Sequence, residues 1–464
     1  MIDIDTKVDI KIDIEDWSSK RVTVIGAGVS GTALALLARG LGAEVFVSEE
    51  RNALAGDVAE RLRNANIEWE TGGHSDRAFE ADTLLLSSGI SPGAFCVREA
   101  ERRKVPVMGE LDFVAPRIEG RIVGITGSNG KSTTTALSGH ILQKMGFKTG
   151  VGGNIGEAAS LFTREPFDYV VLELSSFQLH WAHHLKSAVG VVTNLAPDHI
   201  DWHGSYENYV AAKAKLLSLQ DSDGWSVVQD RDCQALRLEK FGRTVVLSWS
   251  EKPKNGTAGH IFMGKDLAVL RLEGKEHPLF RYDDTTLLGR HNLENVAMAL
   301  AAARLLDVVV SDAREVLTDF SPLAHRCELV AAVDGVTYID DSKGTNVAAS
   351  VTALTSIEGR KIAILGGKGK GEDYEALAEA VVKEADAAVL IGAEKNRIEA
   401  ALKKAGFANT HRAADMEMAV HLARKLARPG MVVLLSPACT SWDMYESYKK
   451  RGEHFRAVVR GLES

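Results

Sequence analysis

Short apolar runs alternate with Ala- and Leu-rich stretches of helical period through most of this chain, separated by glycine-rich turns. A strand buried on both faces reads as a continuous apolar run, and strands joined by helices lie parallel. The pattern therefore predicts an α/β protein. Its first unit opens on RVTVIGAGVSG from Arg21: a buried strand running into glycines 26, 28 and 31, then an Ala/Leu helix over 32–40 and a second strand over 44–48. A later strand over 83–87 ends in the small-residue loop SSGISPG, and the alternation continues to about Phe113, with Pro116 as a joint. The second unit has a strand at 121–125, a glycine turn, and a helix opening on Lys131-Ser132-Thr133. The turn VGGNIG (151–156), apolar strands over 168–179 and 188–204, and helices over 205–217 and 289–306 follow. Asn292 and Asn295 fall in the first turn of that last helix, where asparagine commonly caps. A third unit carries strands over 336–339, 361–365, 387–391 and 431–435 in another doubly wound pattern.

The expected division is an N-terminal extension (1–20), a Rossmann-like domain (21–115), a central P-loop mononucleotide-binding α/β domain (116–320) and a C-terminal Rossmann-like domain (321–464). A length of 464 residues agrees, being too long for one core. Residues 2–14 alternate apolar and polar positions, which predicts either a half-exposed strand or an acidic tail paired with an edge of the first sheet.

A net charge of −8 argues against nucleic-acid binding as the main task, because that leaves a basic stripe. The four cysteines, 96, 233, 327 and 439, show no C-x-x-C pairing and fit a reducing compartment. No apolar run reaches a membrane span and no basic n-region precedes an apolar core, so the expectation is a cytoplasmic protein without membrane insertion.

The chemistry concentrates in GITGSNGKSTTTAL, residues 124–137. Glycines 127 and 130 let backbone N–H groups converge on an anion in front of a helix N-terminus. Lys131 would reach the β/γ-phosphates and the Ser132 hydroxyl a Mg²⁺ ion. The common pattern G-x-x-x-x-G-K-[ST] asks for glycine at 125, where this chain has Ile125. A plain turn needs neither the lysine nor the hydroxyls of 132–135, so phosphate binding is the better reading. Glu173, at the end of an apolar strand, is placed for a second acidic metal ligand; His199 in DHIDWHG is as readily a metal ligand as an exposed polar residue. In the first unit, Glu49 and Glu50 stand where dinucleotide-binding folds hold a ribose, while packing alone could also explain the glycines. Three loops at strand ends of the third unit, DDSKGTN (340–346), GGKGKGED (366–373) and SPACTSWD (436–443), place Lys343, Lys368 and Lys370 where open sheets bind ligands.

TGSNGKST (126–133), LELSSFQL (172–179), DHIDWHG (198–204), HNLENV (291–296), HR (325–326), DDSKGTN and LSPACTSWD resemble, in order and spacing, the motif set of the Mur ligases. The likeness runs from about Arg21 to the C-terminus and is strongest to the D-glutamate-adding members; Ile125 is normal in such a loop. The resemblance implies ATP-dependent amide ligation in peptidoglycan synthesis. UDP-MurNAc-L-Ala would be phosphorylated on its carboxylate and then attacked by D-glutamate. ATP would be held by Gly127, Ser128, Asn129, Gly130, Lys131, Ser132 and Thr133, with Asn295 at the adenine and Arg326 and Asp341 reaching it from the third domain. Two Mg²⁺ ions are implied, served by Ser132, Glu173, His199 and a carbamylated Lys213; Lys215 is a nearby alternative. Val29, Ser30, Ser87 and Gly89 would take the UDP end, and Asn154, Ser175, Gln178 and His199 the rest of that substrate. Lys343, Thr345, Lys370, Ser441 and Tyr448 would recognise D-glutamate. Lys368, Trp202 and Tyr448 depart from residues frequent in the family, which bears on amino-acid recognition more than on the reaction. A monomer acting on small molecules is implied.

The rival readings are another Mur-type ligase with a different amino acid, an NAD-dependent oxidoreductase built on glycines 26–31, and a P-loop switch ATPase. DNPR and GKGS strings expected of other Mur-type ligases are absent. The oxidoreductase reading leaves Lys131, Glu173, His199 and the third unit unexplained, and the switch reading predicts hydrolysis without dependence on an amino acid. For Arg326 and Asp341 to meet a nucleotide on Lys131, the third domain must swing onto the second, with 318–324 as hinge.

Overall fold

The computed structural model describes residues 16–252, 254–321 and 323–462. The alternating segment 2–14 lies outside them, as does Pro322 of the hinge segment. Three sheets organise the rest. In the first, five parallel strands run in the order Glu68–Thr71, Glu44–Glu49, Arg21–Ile25, Thr83–Leu86, Val107–Gly109. The Arg21–Ile25 strand is central and buried after its first residue, as its apolar run requires. The helix Val29–Gly40 begins earlier than the Ala/Leu pattern indicates and turns Leu34, Ala35 and Ala38 to the core.

The second sheet has nine strands, in the order Lys275–Arg281, Leu267–Leu272, Gly259–Met263, Thr244–Ser248, Gln220–Gln229, Ser187–Val192, Arg121–Thr126, Tyr169–Glu173, Thr149–Gly153. The ladder is parallel except at its far edge, where the last two pairings are antiparallel. Two apolar stretches are shorter as strands than their runs suggest. The run over 168–179 is strand only to Glu173, because Ser175 accepts from the Gln178 amide in a capping box and starts the helix Ser176–His180. The run over 188–204 leaves the sheet at Val192, and its polar end forms the short helix Ile200–His203. The expectation that Asn292 and Asn295 cap their helix is also corrected. Gly289 holds the cap position of Arg290–Leu305, and both asparagines are buried inside the helix.

The third sheet runs Glu328–Val333, Val336–Asp340, Val432–Leu435, Lys361–Gly366, Ala385–Ile391, Thr410–Arg412, antiparallel only in its first pair. Its two faces are covered by separate apolar clusters, one around Leu354 and Leu377, the other around Val420 and Phe455. Among the described residues no helix is long and apolar enough to cross a membrane.

Candidate active site

The strand Arg121–Thr126 delivers the phosphate loop. Ile125 is fully buried and pairs with Glu173 and Val191 in an unbroken ladder, so the chain is still extended where the common pattern has its first glycine. The turn instead begins at Gly127, whose φ is +146° and where a Cβ would lie 1.9 Å from Thr193 Oγ1. The glycine requirement has moved two residues along the chain. The loop is then pinned from the neighbouring strand end: Ser128 Oγ donates to the Ala196 carbonyl (2.9 Å), and Asn129 N–H to Asn194 Oδ1 (2.9 Å). Lys131 turns back over the loop, its Nζ donating to the carbonyls of Gly127 (2.8 Å) and Ser128 (2.9 Å), and burial lowers its pKa.

Behind the loop, Glu173 is 2% exposed. Its Oε1 accepts from Asn154 Nδ2 at 2.9 Å, while its Oε2 is buried with no hydrogen-bond partner. Lys213, on the helix Tyr206–Ser218, is equally buried; its Nζ donates to the Gly127 carbonyl at 2.7 Å and lies 4.6 Å from the Tyr209 ring centroid. Burial, helped by the charge of Lys131, pushes its pKa well below the ordinary lysine value. Lys215 turns the other way, onto the carbonyls of His180 and Ala182. His199 occupies a left-handed backbone position (φ +53°) ahead of Ile200–His203, against the Phe177 ring, and burial lowers its pKa.

The third domain is seated on this loop. Arg326 Nη2 donates to Ser132 Oγ at 2.6 Å. Asn346 Nδ2 donates to Asp198 Oδ2 at 3.3 Å, and Lys370 Nζ stands 3.7 Å from Asp198 Oδ1. Between the two domains lies a narrow cleft lined by Asn129, Thr133, Asn295, Arg326, Asp341 and Lys343, among others. Burial raises the Asp341 carboxyl to about 7, against the opposing hydrogen bond from Ser436, and lowers Lys343 to about 8. Lys343 Nζ sits 4.1 Å from the centroid of the Tyr448 ring. Thr345, Lys370, Ser441 and Tyr448 are not in the lining of this cleft, and Ser441 is 2% exposed.

A second, wider cleft opens between the first and second domains. Val29, Ser30, Ser87, Gly89, Asn154 and Gln178 all line it, so the residues singled out for one substrate come together from two domains. Ser175 lies beneath, bound into the capping box with Gln178. Trp202 donates to the Gly89 carbonyl (3.1 Å) and Trp181 to that of Ile90 (3.0 Å), joining the domains at the rim. Glu49 proves to be structural: its carboxylate accepts from the Ala27 N–H (2.7 Å) and from Arg51, which hold it down to about 2. It clamps the glycine turn and is not a free ribose ligand.

Sequence reasoning did not single out Asp198, His291 or Glu110. The first two lie inside DHIDWHG and HNLENV, where the neighbouring histidine and asparagine drew the attention. Glu110 carried no signal, since GELDF reads as an ordinary amphipathic turn.

Three family models match in order: the MurD N-terminal domain over residues 21–95, the Mur ligase middle domain over 125–303 and the Mur ligase glutamate ligase domain over 325–439. The chain belongs to the Mur ligase family. Within it, the chain is 39% identical over 455 residues to a UDP-N-acetylmuramoylalanine--D-glutamate ligase of Pelotomaculum thermopropionicum, covering 97% of this chain and 99% of that one. It is 37% identical to the enzyme of that name from Koribacter versatilis, covering 96% and 98%. Among solved structures, a MurF ligase from Thermotoga maritima in complex with ADP matches with a TM-score of 0.59 at 18% identity, covering 97% of each chain. A UDP-N-acetylmuramate-alanine ligase from the same organism matches at 0.58 and 19%, covering 96% of this chain and all of the other. At those identities the likeness is one of fold.

Proposed function

We propose that this chain is an ATP-dependent ligase that joins D-glutamate to UDP-MurNAc-L-Ala in the cytoplasmic phase of peptidoglycan synthesis, working as a monomer. The observation that carries it is the cleft in which Arg326 and Lys343 of the third domain face Asn129, Gly130 and Thr133 of the phosphate loop, with Lys131 folded over that same loop. The names borne by its full-length relatives support the amino acid and the acceptor.

The chemistry follows from charge. A carboxylate is a poor electrophile, and bringing it to a triphosphate sets two anions against each other. A carboxylate oxygen of the substrate attacks the γ-phosphorus, the bond to the β-bridging oxygen breaks, and ADP leaves, giving an acyl phosphate. Lys131 leaves the loop carbonyls for the phosphates, and Arg326 neutralises them from the opposite wall. The neutral amine of D-glutamate then attacks the acyl carbon; the tetrahedral adduct loses a proton and expels phosphate. Lys343, with the Tyr448 ring beside it, and Lys370 suit the two carboxylates of the incoming amino acid, and Thr345 and Ser441 join them on the strength of the family resemblance alone. Asn154, held on Glu173, would orient the acyl end, and Asn295 the adenine.

The donor set fits Mg²⁺. Glu173 offers a buried oxygen with no protein partner, Ser132 a hydroxyl, and His199 a ring that burial keeps neutral. A neutral buried Lys213 amine can add CO₂, releasing a proton and leaving a carbamate, a second anionic ligand beside Glu173. The ions would shield the charge that builds between phosphate oxygens and carboxylate. The test is phosphate release with UDP-MurNAc-L-Ala and ATP while D-Glu, L-Glu and meso-diaminopimelate are varied. Stimulation by D-Glu alone is expected, and its absence would refute the assignment.

A further inference from the structure

The cleft between the first and second domains contains one charged side chain that the scheme above does not use. Among its lining residues the only ionisable group is Glu110, the rest being glycines, small hydroxyl residues, amides and aliphatic side chains. Glu110 stands at the start of the short helix Glu110–Val114 and is 4% exposed. No cation lies within 4 Å of its carboxyl among the described residues; its neighbours are Ser30 and Gln178, whose Nε2 donates to Glu110 Oε2 at 3.2 Å. Two further facts make this a built site. The Gln178 carbonyl oxygen is already engaged by the Ser175 N–H (2.9 Å) and hydroxyl (3.0 Å), so the amide cannot rotate and its N–H must face Glu110. The Ser30 hydroxyl, in the same wall, is buried beside the Glu110 carboxyl without a well-formed hydrogen bond. A buried carboxyl without a cation and a buried hydroxyl without a well-formed hydrogen bond are each costly unless a ligand completes their bonding.

We propose that Glu110, with Ser30 and Gln178, is a specificity site that hydrogen-bonds the neutral hydroxyl- and amide-bearing sugar of the nucleotide-linked substrate. A phosphate is excluded from this end of the cleft: no lysine or arginine lines it, and a carboxyl would oppose the anion. The diphosphate has a better place at glycines 26 and 28, just ahead of the N-terminus of the helix Val29–Gly40. The carboxyl is held toward its neutral form by burial, which gives it both a donor and an acceptor for a sugar hydroxyl or N-acetyl group. This inference rests on reading the cleft as the UDP-substrate site.

Calorimetric titration of the full chain with UDP-MurNAc-L-Ala and, separately, with UDP separates the possibilities. Glu110→Ala is expected to weaken UDP-MurNAc-L-Ala about tenfold while leaving UDP within about twofold. Glu110→Gln keeps a donor and an acceptor and is expected to stay within about threefold of wild type for both ligands; a loss equal to that of Glu110→Ala would overturn the neutral donor–acceptor role. Equal weakening of UDP and UDP-MurNAc-L-Ala in the alanine variant would make Glu110 a structural residue and overturn the proposal. So would unchanged binding of both. Failure of wild-type protein to bind UDP-MurNAc-L-Ala at all would instead refute the functional reading on which the inference stands.

Discussion

The Arg326 guanidinium lies 2.6 Å from the Ser132 hydroxyl, a bond between the third domain and the first turn of the phosphate-loop helix. One residue spans two jobs: it closes the domains and stands beside the group that would meet a metal-bound phosphate. Replacing Arg326 by Ala should therefore lower kcat by roughly a hundredfold or more, the cost of removing a positioned cation from a phosphoryl-transfer site. It should also raise the radius of gyration of the free protein in small-angle scattering, because it removes one of the few polar ties between the domains and leaves the contacts of Asn346 and Lys370 with Asp198 and of His291 with Ser356. An ATP analogue with UDP-MurNAc-L-Ala should restore a smaller radius. A radius that stays the same across all these samples would count against a swing about 318–324.

Gly127→Ala tests the loop itself. The new Cβ meets Thr193 Oγ1 at 1.9 Å in a backbone region that L-residues avoid, and Thr193 is itself fixed by the Thr126 and Asn129 carbonyls. A destabilisation of about 2 kcal/mol or more is expected, together with lost nucleotide binding. Urea unfolding and fluorescent-nucleotide titration measure the two separately; a variant with wild-type affinity would show that the turn tolerates another conformation.

The Arg21–Ile25 and Arg121–Thr126 strands announced themselves because a central parallel strand must be apolar on both faces. The five strands between 220 and 281 did not, since this edge of the sheet mixes polar and apolar positions and carries no chemistry. Lys131 and Ser132 were readable because a motif fixes them by spacing. Glu110 was not, because its significance is that nothing basic surrounds it, and that depends on two domains meeting. Asn295 was misread as a cap for a related reason: a polar residue in a first helical turn looks the same whether it caps or faces a cleft.

Asp341 should give the protein a measurable pH dependence. Its carboxyl titrates near 7 in the folded chain against 3.8 as a model value, so between those limits the folded state holds a proton that the unfolded state has lost. Stability from this group is thus full below about pH 4 and falls as pH rises toward 7, by an amount on the order of 3 to 4 kcal/mol. Asp341→Asn removes the titration. The variant should equal or exceed wild type in stability at pH 8 and lose that advantage near pH 4, read from thermal or denaturant unfolding at both values. A difference between the two proteins that does not change with pH would show that Asp341 does not titrate in this window.

Lys213 offers the sharpest test of the metal chemistry. An ammonium this deep, beside Lys131, is disfavoured by burial first and by repulsion second, so its pKa falls well below that of an ordinary lysine and the uncharged amine is favoured. Neutral amines add CO₂, and the product carboxylate would feel the charge of Glu173, whose Oε2 has no protein partner, so two anions without a cation would repel. Carbamylation should therefore depend on Mg²⁺. In protein incubated with ¹³C-bicarbonate, a carbamate carbon signal is expected with Mg²⁺ present, weaker after chelation, and absent in Lys213→Ala. The alanine variant should lose activity by roughly a thousandfold and regain part of it with short carboxylic acids, which can supply the missing ligand. Lys215→Ala, whose amine faces the His180 and Ala182 carbonyls, should keep both the signal and most of the activity. Full activity in Lys213→Ala, or an unchanged carbamate signal in it, would refute this role.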